Sequence, residues 1–307
     1  MSLYDWLTET GQRVRRDGVR VGGRRSLRKF YYGSLRRVDG FLDYTRINPG
    51  KNVFSAEWDA LIVLDGCRYD LFTDVVGKSG IVESLDSRLS VAGGSLSWMH
   101  RTFEADHDLS NVGYVTANPF TEQAVNGGRF GAFDEVWRHS WDDNLGTVRA
   151  AAVTDAAIET FRGEDVTQAI VHYMQPHHPF VPNPIAAGIN PENPVDHDTT
   201  VWEKLRDGEI DRAEAMDGYR ANLRYVMDEV KRLVRNLDAP RTVITADHGN
   251  ALGEWRVYGH GDYPIPQLRR VPWALATATD ERTAEPEVNR KAVDTDISQQ
   301  LRDLGYQ

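Results

Sequence analysis

The stretch Thr242-Val243-Ile244-Thr245-Ala246-Asp247-His248-Gly249 decides the fold, because it joins a buried strand to a polar turn. The β-branched and small apolar residues from Thr242 to Ala246 predict a strand that is covered on both faces. Asp247 and His248 follow where this strand ends, and they supply a carboxylate oxygen and an imidazole nitrogen, which suit zinc or manganese. Gly249 permits a turn that a bulkier residue would resist. The stretch therefore predicts a central strand that ends in two metal-type ligands.

A second histidine follows on a glycine-flanked loop. The next segments are Leu252-Gly253-Glu254 and Tyr258-Gly259-His260-Gly261, and His260 lies twelve positions after His248. A loop of that length lets His260 fold back over the same site. For an aspartate–histidine pair alone, a strand end with a polar loop would be the favoured interpretation. The longer string is much more specific, and it favours a site.

The complete string resembles the second metal motif of the sulfatase-like branch of the alkaline phosphatase superfamily. The matching residues are Ala246-Asp247-His248-Gly249, Leu252-Gly253-Glu254, and Tyr258 with His260-Gly261. Within that branch the spacing is most similar to that of phosphoethanolamine and phosphoglycerol transferases. One departure is Asn250, where many relatives carry Glu. The resemblance implies a metal-dependent enzyme that transfers phosphoryl or sulfuryl groups through a hydroxyl nucleophile.

A second segment resembles the first metal motif of that family, and its residues are Asp65-Gly66-Cys67-Arg68-Tyr69-Asp70. The apolar run Leu61 to Leu64 predicts a central strand, and Asp65 sits at its carboxyl end, where open α/β sheets bind ligands. The resemblance implies Asp65 as a metal ligand, whereas a helix cap is the alternative for this residue alone. Arg68 could pair with Asp70 or face the substrate anion, and the structural pair with Asp70 is the favoured interpretation. Sulfatases usually carry two adjacent aspartates here, so Asp65-Gly66 favours phosphate over sulfate esters.

A glycine-rich loop follows about thirty residues later, at Ser90 to Met99. Ser95 directly follows Gly93-Gly94 and is the best match to the family nucleophile, with Ser97 second. A helix N-terminus would help there, because its N–H groups and dipole favour negative charge. An ordinary helix cap is the alternative for Ser95. The Cys-x-Pro-x-Arg signature of sulfatases is absent, which again favours phosphate esters.

A mid-chain histidine segment completes the resemblance. Val166 to Met174 predicts a strand that delivers Gln175-Pro176-His177-His178-Pro179-Phe180, which resembles the His-x-Pro segment of the family. His177 fits best, and it could hydrogen-bond the anion or protonate a leaving oxygen. We expect His172 in packing. Asp196-His197-Asp198 could complete a second metal site, but a solvated loop is the favoured interpretation.

The resemblance implies one or two divalent cations, zinc or manganese in preference to calcium or magnesium. The implied ligands are Asp65, Ser95, Asp247, His248 and, in a binuclear site, His260. Ser95 would attack phosphorus and form a covalent phospho-serine, which water or an acceptor hydroxyl resolves. His177 and His260 would neutralise charge on the phosphoryl and leaving oxygens. A sulfuric ester hydrolase and a catalytically inactive sulfatase-like binding module are the alternative functions.

Length and element order predict the fold class. A chain of 307 residues can bury the core of one large α/β domain. Strand and helix patterns alternate from about Trp58 onward, with a long helix over Glu209 to Leu237 and a closing helix over Asp294 to Leu304. We therefore expect a mostly parallel central sheet sandwiched by helices, as in alkaline phosphatase and sulfatase folds. The resemblance covers residues 51–307.

Composition restricts the function classes. The net charge of −10 argues against a general nucleic-acid binder. Arginine provides 30 of the 36 basic residues, so lysines are few. A chain with many acidic residues and few lysines is typical of a salt-rich cytoplasm, and a high-GC genome is the alternative explanation. No apolar run approaches a membrane span, and residues 1–50 lack an apolar signal region, which predicts a soluble, cytoplasmic protein. The single cysteine, Cys67, excludes an internal disulfide.

Residues 1–50 break the acidic pattern and predict a helical, basic arm. From Arg13 to Arg37 there are ten basic residues and one acid, with aromatic residues interleaved. The arm either packs through its aromatics or docks on anionic lipid at the inner face of the membrane, or on an anionic substrate carrier. Asn48-Pro49-Gly50 marks the turn into the domain. The expected substrate is a phosphorylated or sulfated small molecule, glycan or lipid-linked compound.

Overall fold

The computed structural model describes residues 3–45, 48–77, 80–104, 107–185 and 200–288. The chain forms two compact units, Met1–Asn48 with Gly261–Pro264, and Pro49–His260 with Ile265–Gln307. Within the described ranges, no helix is both long and apolar enough to cross a membrane. The closing helix predicted for residues 294–304 and the segment Asp196-His197-Asp198 lie outside the described residues.

The first unit is built on the helix α1, Leu3–Tyr44. Its path is broken at Gly18, whose φ of 79° and ψ of 162° are not helical, so α1 consists of two helical segments. Lys29 Nζ lies 2.6 Å from Glu9 Oε2 and joins the two segments. The helical character predicted for the N-terminal arm is confirmed.

The second unit alternates strands and helices. Its strands are Ala60–Leu64 (β1), Ser84–Leu89 (β2), Val112–Thr116 (β3), Ala132–Glu135 (β4), Trp141–Asp142 (β5), Thr147–Val148 (β6), Gln168–Tyr173 (β7), Ala239–Thr245 (β8), Ala251–Leu252 (β9), Tyr258–Gly259 (β10) and Arg270–Ala278 (β11). Its α-helices are Tyr69–Val76 (α2), Ser95–Phe103 (α3), Thr121–Ala124 (α4), Trp137–Ser140 (α5), Ala150–Gly163 (α6), Val201–Asp207 (α7), Arg212–Val234 (α8) and Pro266–Arg269 (α9). The 3₁₀ helices within the described ranges are Val53–Ser55, Gly127–Arg129 and Glu254–Arg256.

Among the described residues, seven strands form the central sheet in the order β2-β11-β8-β1-β7-β3-β4. All pairs from β8 to β4 are parallel. In the described part of this sheet, only β11 runs in the opposite direction, because it pairs antiparallel with both β8 and β2. The mostly parallel sheet predicted from the sequence is confirmed.

Both faces of the sheet are covered, as the apolar run of β1 predicted. Ile62 and Leu64 belong to one buried cluster, which also contains apolar residues of α2, α6 and α8. Leu61 and Val63 belong to a second cluster with Trp98 of α3. Successive side chains of a strand point to opposite faces, so helices lie on both sides of the sheet.

The strand ends position the site. In parallel strands the carboxyl ends meet at one edge of the sheet, and there β1 ends at Leu64, β7 at Tyr173 and β8 at Thr245. The residues that follow, Asp65 and Asp247 among them, therefore lie beside one another.

Candidate active site and metal centre

Two carboxylates and one imidazole form a buried group at this edge. Asp65, Asp247 and His248 are each 0% exposed. One ligand atom from each lies within 4.8 Å of the others. His248 Nε2 is 3.5 Å from Asp65 Oδ1 and 3.6 Å from Asp247 Oδ2. The structure thus brings together three of the residues that the two sequence motifs singled out.

Hydrogen bonds aim the ligand atoms at a common point. Asp247 Oδ1 accepts from the N–H groups of Gly66 at 3.0 Å and His248 at 2.8 Å. Asp247 Oδ2 is buried without a hydrogen-bond partner among the described residues. His248 Nδ1 donates to the Gly249 carbonyl at 2.7 Å, so Nε2 carries the lone pair. Buried carboxylates need a compensating charge, so this donor set fits a divalent cation.

Ser95 lies at the edge of the same group. It is the first residue of α3, and Gly94 occupies the cap position, so the Ser95 hydroxyl does not cap the helix. Its Oγ is 3.3 Å from Asp65 Oδ2 and 3.2 Å from His248 Nε2. Ser95 is 0% exposed, whereas Ser97 is partly exposed. A hydroxyl at this position lies next to both the candidate metal ligands and the N–H groups of the first helical turn.

Asn118 is a site residue that the sequence interpretation missed. Its Nδ2 donates to Asp65 Oδ2 at 2.7 Å, and its Oδ1 accepts from the Phe120 N–H at 3.0 Å. Both ends of the amide are therefore fixed, and Asn118 holds the Asp65 carboxylate in place. The available signal was its position two residues beyond the end of β3, at the same edge of the sheet.

Three further histidines are linked to His248 through successive ring contacts. The ring of His260 is 4.6 Å from that of His248 and 5.0 Å from that of His177, and His177 stacks on His178 at 4.3 Å. His177 Nδ1 donates to the His178 carbonyl at 2.6 Å, which leaves the lone pair of His177 at Nε2. Burial, together with His248, lowers the pKa of His177 to about 3, so this imidazole is neutral at pH 7.

Asn250 connects His260 to the first motif. Its Oδ1 lies 3.1 Å from His260 Nδ1, which must therefore donate and leave the lone pair at Nε2. Its Nδ2 donates to the Gly66 carbonyl at 3.0 Å and is 3.1 Å from the Tyr219 hydroxyl. The residue that departs from the family pattern thus sets the orientation and tautomer of a site histidine.

Arg68 joins the two motifs without facing the ligand group. Its Nε and Nη2 donate to Asp70 at 2.8 and 2.6 Å, which confirms the predicted pair. Its Nη1 donates to the Asn250 carbonyl at 2.8 Å and to Glu254 Oε1 at 2.9 Å. The role of Arg68 is structural.

His172 is buried in packing, as expected, yet it reaches the back of the site. Its Nδ1 is 3.0 Å from the Tyr114 hydroxyl, and its ring packs edge-on against Trp98. Its Nε2 lies 3.8 Å from Asp247 Oδ2. Burial lowers the pKa of His172 to about 4, so the ring is neutral beside the carboxylate at pH 7.

No protein-family model and no curated protein matches the sequence. Several solved structures are similar at low identity. The soluble domain of lipooligosaccharide phosphoethanolamine transferase A from Neisseria meningitidis is 16% identical over 73% of this chain and 77% of its own, with a TM-score of 0.48. A putative sulfatase from Bacteroides thetaiotaomicron is 12% identical over 81% and 70%, with a TM-score of 0.44.

The lipoteichoic acid synthase LtaP from Listeria monocytogenes is 11% identical over 79% of this chain and 68% of its own, with a TM-score of 0.43. These structures belong to the superfamily that the motifs of this chain resemble. The chain is similar to these structures at low identity, and its two metal-type motifs resemble those of the sulfatase-like branch.

Proposed function

We propose that the protein is a metal-dependent enzyme that hydrolyses or transfers phosphate esters through a covalent phospho-serine at Ser95. The observation that carries this proposal is the position of Ser95 Oγ, 3.3 Å from Asp65 Oδ2 and 3.2 Å from His248 Nε2. A buried hydroxyl beside two candidate metal ligands, at the start of a helix, is placed as a nucleophile rather than as a cap.

Asp65, Asp247 and His248 would hold the cation. Their mixed oxygen and nitrogen donors favour zinc or manganese. When bound, a divalent cation lowers the pKa of a nearby hydroxyl and offsets the charge of a phosphoryl group. In a site with two ions, Nε2 of His260 would instead be a ligand of the second ion and would take no part in proton transfer.

The chain's own residues would perform the remaining steps. Ser95 Oγ attacks phosphorus, so that the Oγ–P bond forms while the bond to the leaving oxygen breaks. N–H groups in the first turn of α3 would donate hydrogen bonds to the phosphoryl oxygens. Water or an acceptor hydroxyl then attacks phosphorus and releases Ser95.

The tautomers of the histidines refine their proposed role. Because Nδ1 of His177 and of His260 already donates a hydrogen bond, each ring presents a lone pair at Nε2. Neither ring can donate to a phosphoryl oxygen until it has taken up a proton. We therefore assign these imidazoles to receiving the proton of the attacking hydroxyl and passing it to the leaving oxygen.

The turn after β1 supports a phosphate ester as the substrate. Gly66 has a φ of 64°, and a Cβ at this position would lie 2.7 Å from Asn250 Nδ2. A second aspartate, usual in sulfatases, would be both strained and crowded there. The substrate class proposed is accordingly a phosphorylated compound, including lipid-linked ones.

A panel of esters tests the proposal. The protein loaded with zinc or manganese should turn over a nitrophenyl phosphate mono- or diester faster than the matching sulfate ester. Chelation should abolish turnover, re-addition of the cation should restore it, and Ser95→Ala should remove it. Preference for the sulfate ester would favour the sulfatase alternative. A folded protein that binds no metal and turns over no ester would favour a binding module.

A further inference from the structure

Exposed apolar residues form a stripe along the second segment of α1. Leu27, Phe30, Val38 and Phe41 are 65%, 46%, 49% and 63% exposed. At 100° per residue these four positions fall within an arc of about 80° on the helix. Single exposed apolar side chains are ordinary, but four large ones on one helical face mark an interaction surface. We call these four residues the apolar stripe.

Exposed arginines surround the apolar stripe. Arg24 and Arg37 lie on its two sides, and Arg20 continues the line of the stripe one turn before Arg24. All three side chains are exposed. Arginine beside a narrow apolar face is the pattern of a helix that lies in a membrane interface.

The net positive charge of the chain is concentrated in residues 1–48, and the net negative charge lies in the remaining residues. Residues 1–48 contain eleven basic and five acidic residues, a balance of +6. The remaining residues contain 25 basic and 41 acidic ones, a balance of −16. Positive charge is thus concentrated on the unit that exposes the apolar stripe, which favours an anionic partner with an apolar interior.

We propose that this face of α1 docks on an anionic lipid bilayer. The apolar stripe enters the boundary between headgroups and acyl chains, and Arg20, Arg24 and Arg37 contact lipid phosphates. A nucleic acid would use the arginines but leave the stripe exposed to water. A second copy of the chain would cover the stripe but bring two basic surfaces together. This inference goes beyond the proposed function and does not depend on it.

Vesicle binding by the full-length protein tests the proposal. Phosphatidylcholine vesicles that contain phosphatidylglycerol should bind the protein, and pure phosphatidylcholine vesicles should bind it far less. Added salt should weaken binding steeply, because exposed charges are screened within about 10 Å at 0.1 M. The variant Arg20→Gln/Arg24→Gln should bind roughly 10- to 30-fold more weakly, since each basic residue at an anionic surface strengthens binding about fivefold.

Matched variants separate the arm from a general surface effect. Leu27→Gln/Phe41→Gln should also weaken vesicle binding, with helix content unchanged by circular dichroism. Arg224→Gln and Leu275→Thr alter an exposed arginine and a 42% exposed leucine of the second unit, and they should bind as the wild type does. All four variants should keep wild-type turnover of a soluble ester.

Three results would overturn the proposal. The first is equal binding to neutral and anionic vesicles, and the second is no binding to either. The third is that light scattering finds a dimer in solution, that Leu27→Gln/Phe41→Gln dissociates this dimer, and that the protein does not bind vesicles.

Discussion

At the scale of single residues, the position of its hydroxyl favours Ser95 over Ser97 as the nucleophile. Ser95 contacts Asp65 and His248 from the first position of α3, whereas Ser97 lies two residues further into the helix. Ser95→Ala should therefore reduce turnover by orders of magnitude while the protein keeps its metal. Ser97→Ala should cost far less.

Mass spectrometry checks this assignment directly. Enzyme trapped with a slow phosphodiester should carry the phosphoryl adduct on the peptide with Ser95, and fragmentation should distinguish it from Ser97. An adduct on Ser97, or full activity in Ser95→Ala, would show that the assignment is wrong.

Asn250 is expected to act through His260. Asn250→Ala removes the acceptor for His260 Nδ1 and the donor to the Gly66 carbonyl, and should lower kcat about 10- to 100-fold, as losses of such supporting groups do. Asn250→Asp keeps the acceptor and should recover part of that loss. Asn111→Ala, at an exposed asparagine, is the control. Equal kcat values for Asn250→Ala and the wild type would remove Asn250 from the mechanism.

Some site residues could be found from the sequence and others could not, for a physical reason. Asp247 and His248 stand in one short string with the turn that presents them, so local pattern and family resemblance both point to them. Asn118 belongs to no such string. Its contact with Asp65 arises because β3 and β1 flank β7 in the sheet, and that strand order is not written in any local pattern.

At the scale of elements, the turn between β1 and α2 couples the two motifs. Gly66 donates its N–H to Asp247 Oδ1 and accepts from Asn250 Nδ2 and the Tyr219 hydroxyl. Gly66→Ala would force a left-handed conformation on alanine and bring Cβ to 2.7 Å from Asn250 Nδ2. It should lower metal affinity and reduce the free energy of unfolding by about 1 kcal/mol or more.

Gly208→Ala is the matched control for this prediction. Gly208 also has a left-handed φ, of 78°, but a Cβ there would meet nothing within 4 Å. It should show the cost in stability alone, measured by denaturant unfolding, with metal affinity unchanged. Equal metal affinity in the two variants would contradict a coupling role for Gly66.

Helices and strands were predictable from the sequence where burial produces a regular pattern of apolar residues. The strand predicted over Val166 to Met174 is observed as β7, Gln168–Tyr173. The helix predicted from Glu209 begins at Arg212, because Asp211 accepts from the Glu214 N–H and caps it. The edge strand β2 is largely exposed and polar, so no apolar pattern indicated it. The antiparallel direction of β11 depends on its partners in the sheet and could not be read from its own residues.

At the scale of the whole molecule, the sequence predicted the fold class and the basic arm but not the point at which the helix of the arm breaks. The chain length and the alternation of elements favoured a large α/β domain, and the basic arm was evident from its arginines. The break of α1 at Gly18 was not, because a glycine inside a helical pattern does not reveal whether the helix continues. A salt-rich source for the acidic chain stays a prediction.

Cation binding should stabilise the entire protein. Asp65 and Asp247 are fully buried with carboxylate oxygens within the 4.8 Å group, so removing a cation would leave two like charges in a desolvated site. A ligand at a hundred times its Kd adds about 2.7 kcal/mol to the free energy of unfolding. Chelation should therefore lower the Tm of the loaded protein by several degrees.

Asp247→Ala makes this stabilisation testable. Because Asp247 lies beyond the end of β8 and not within a core cluster, the variant should fold, yet elemental analysis should find no bound metal, and chelator should leave its Tm unchanged. Asp228→Ala removes a carboxylate whose side chain is 74% exposed, and it should retain both the metal and the response to chelator. Stoichiometric divalent metal in Asp247→Ala would refute the assigned ligand set. Among the described residues, Asp65, Asp247 and His248 form the only such group, so metal retained without Asp247 would have to be bound elsewhere.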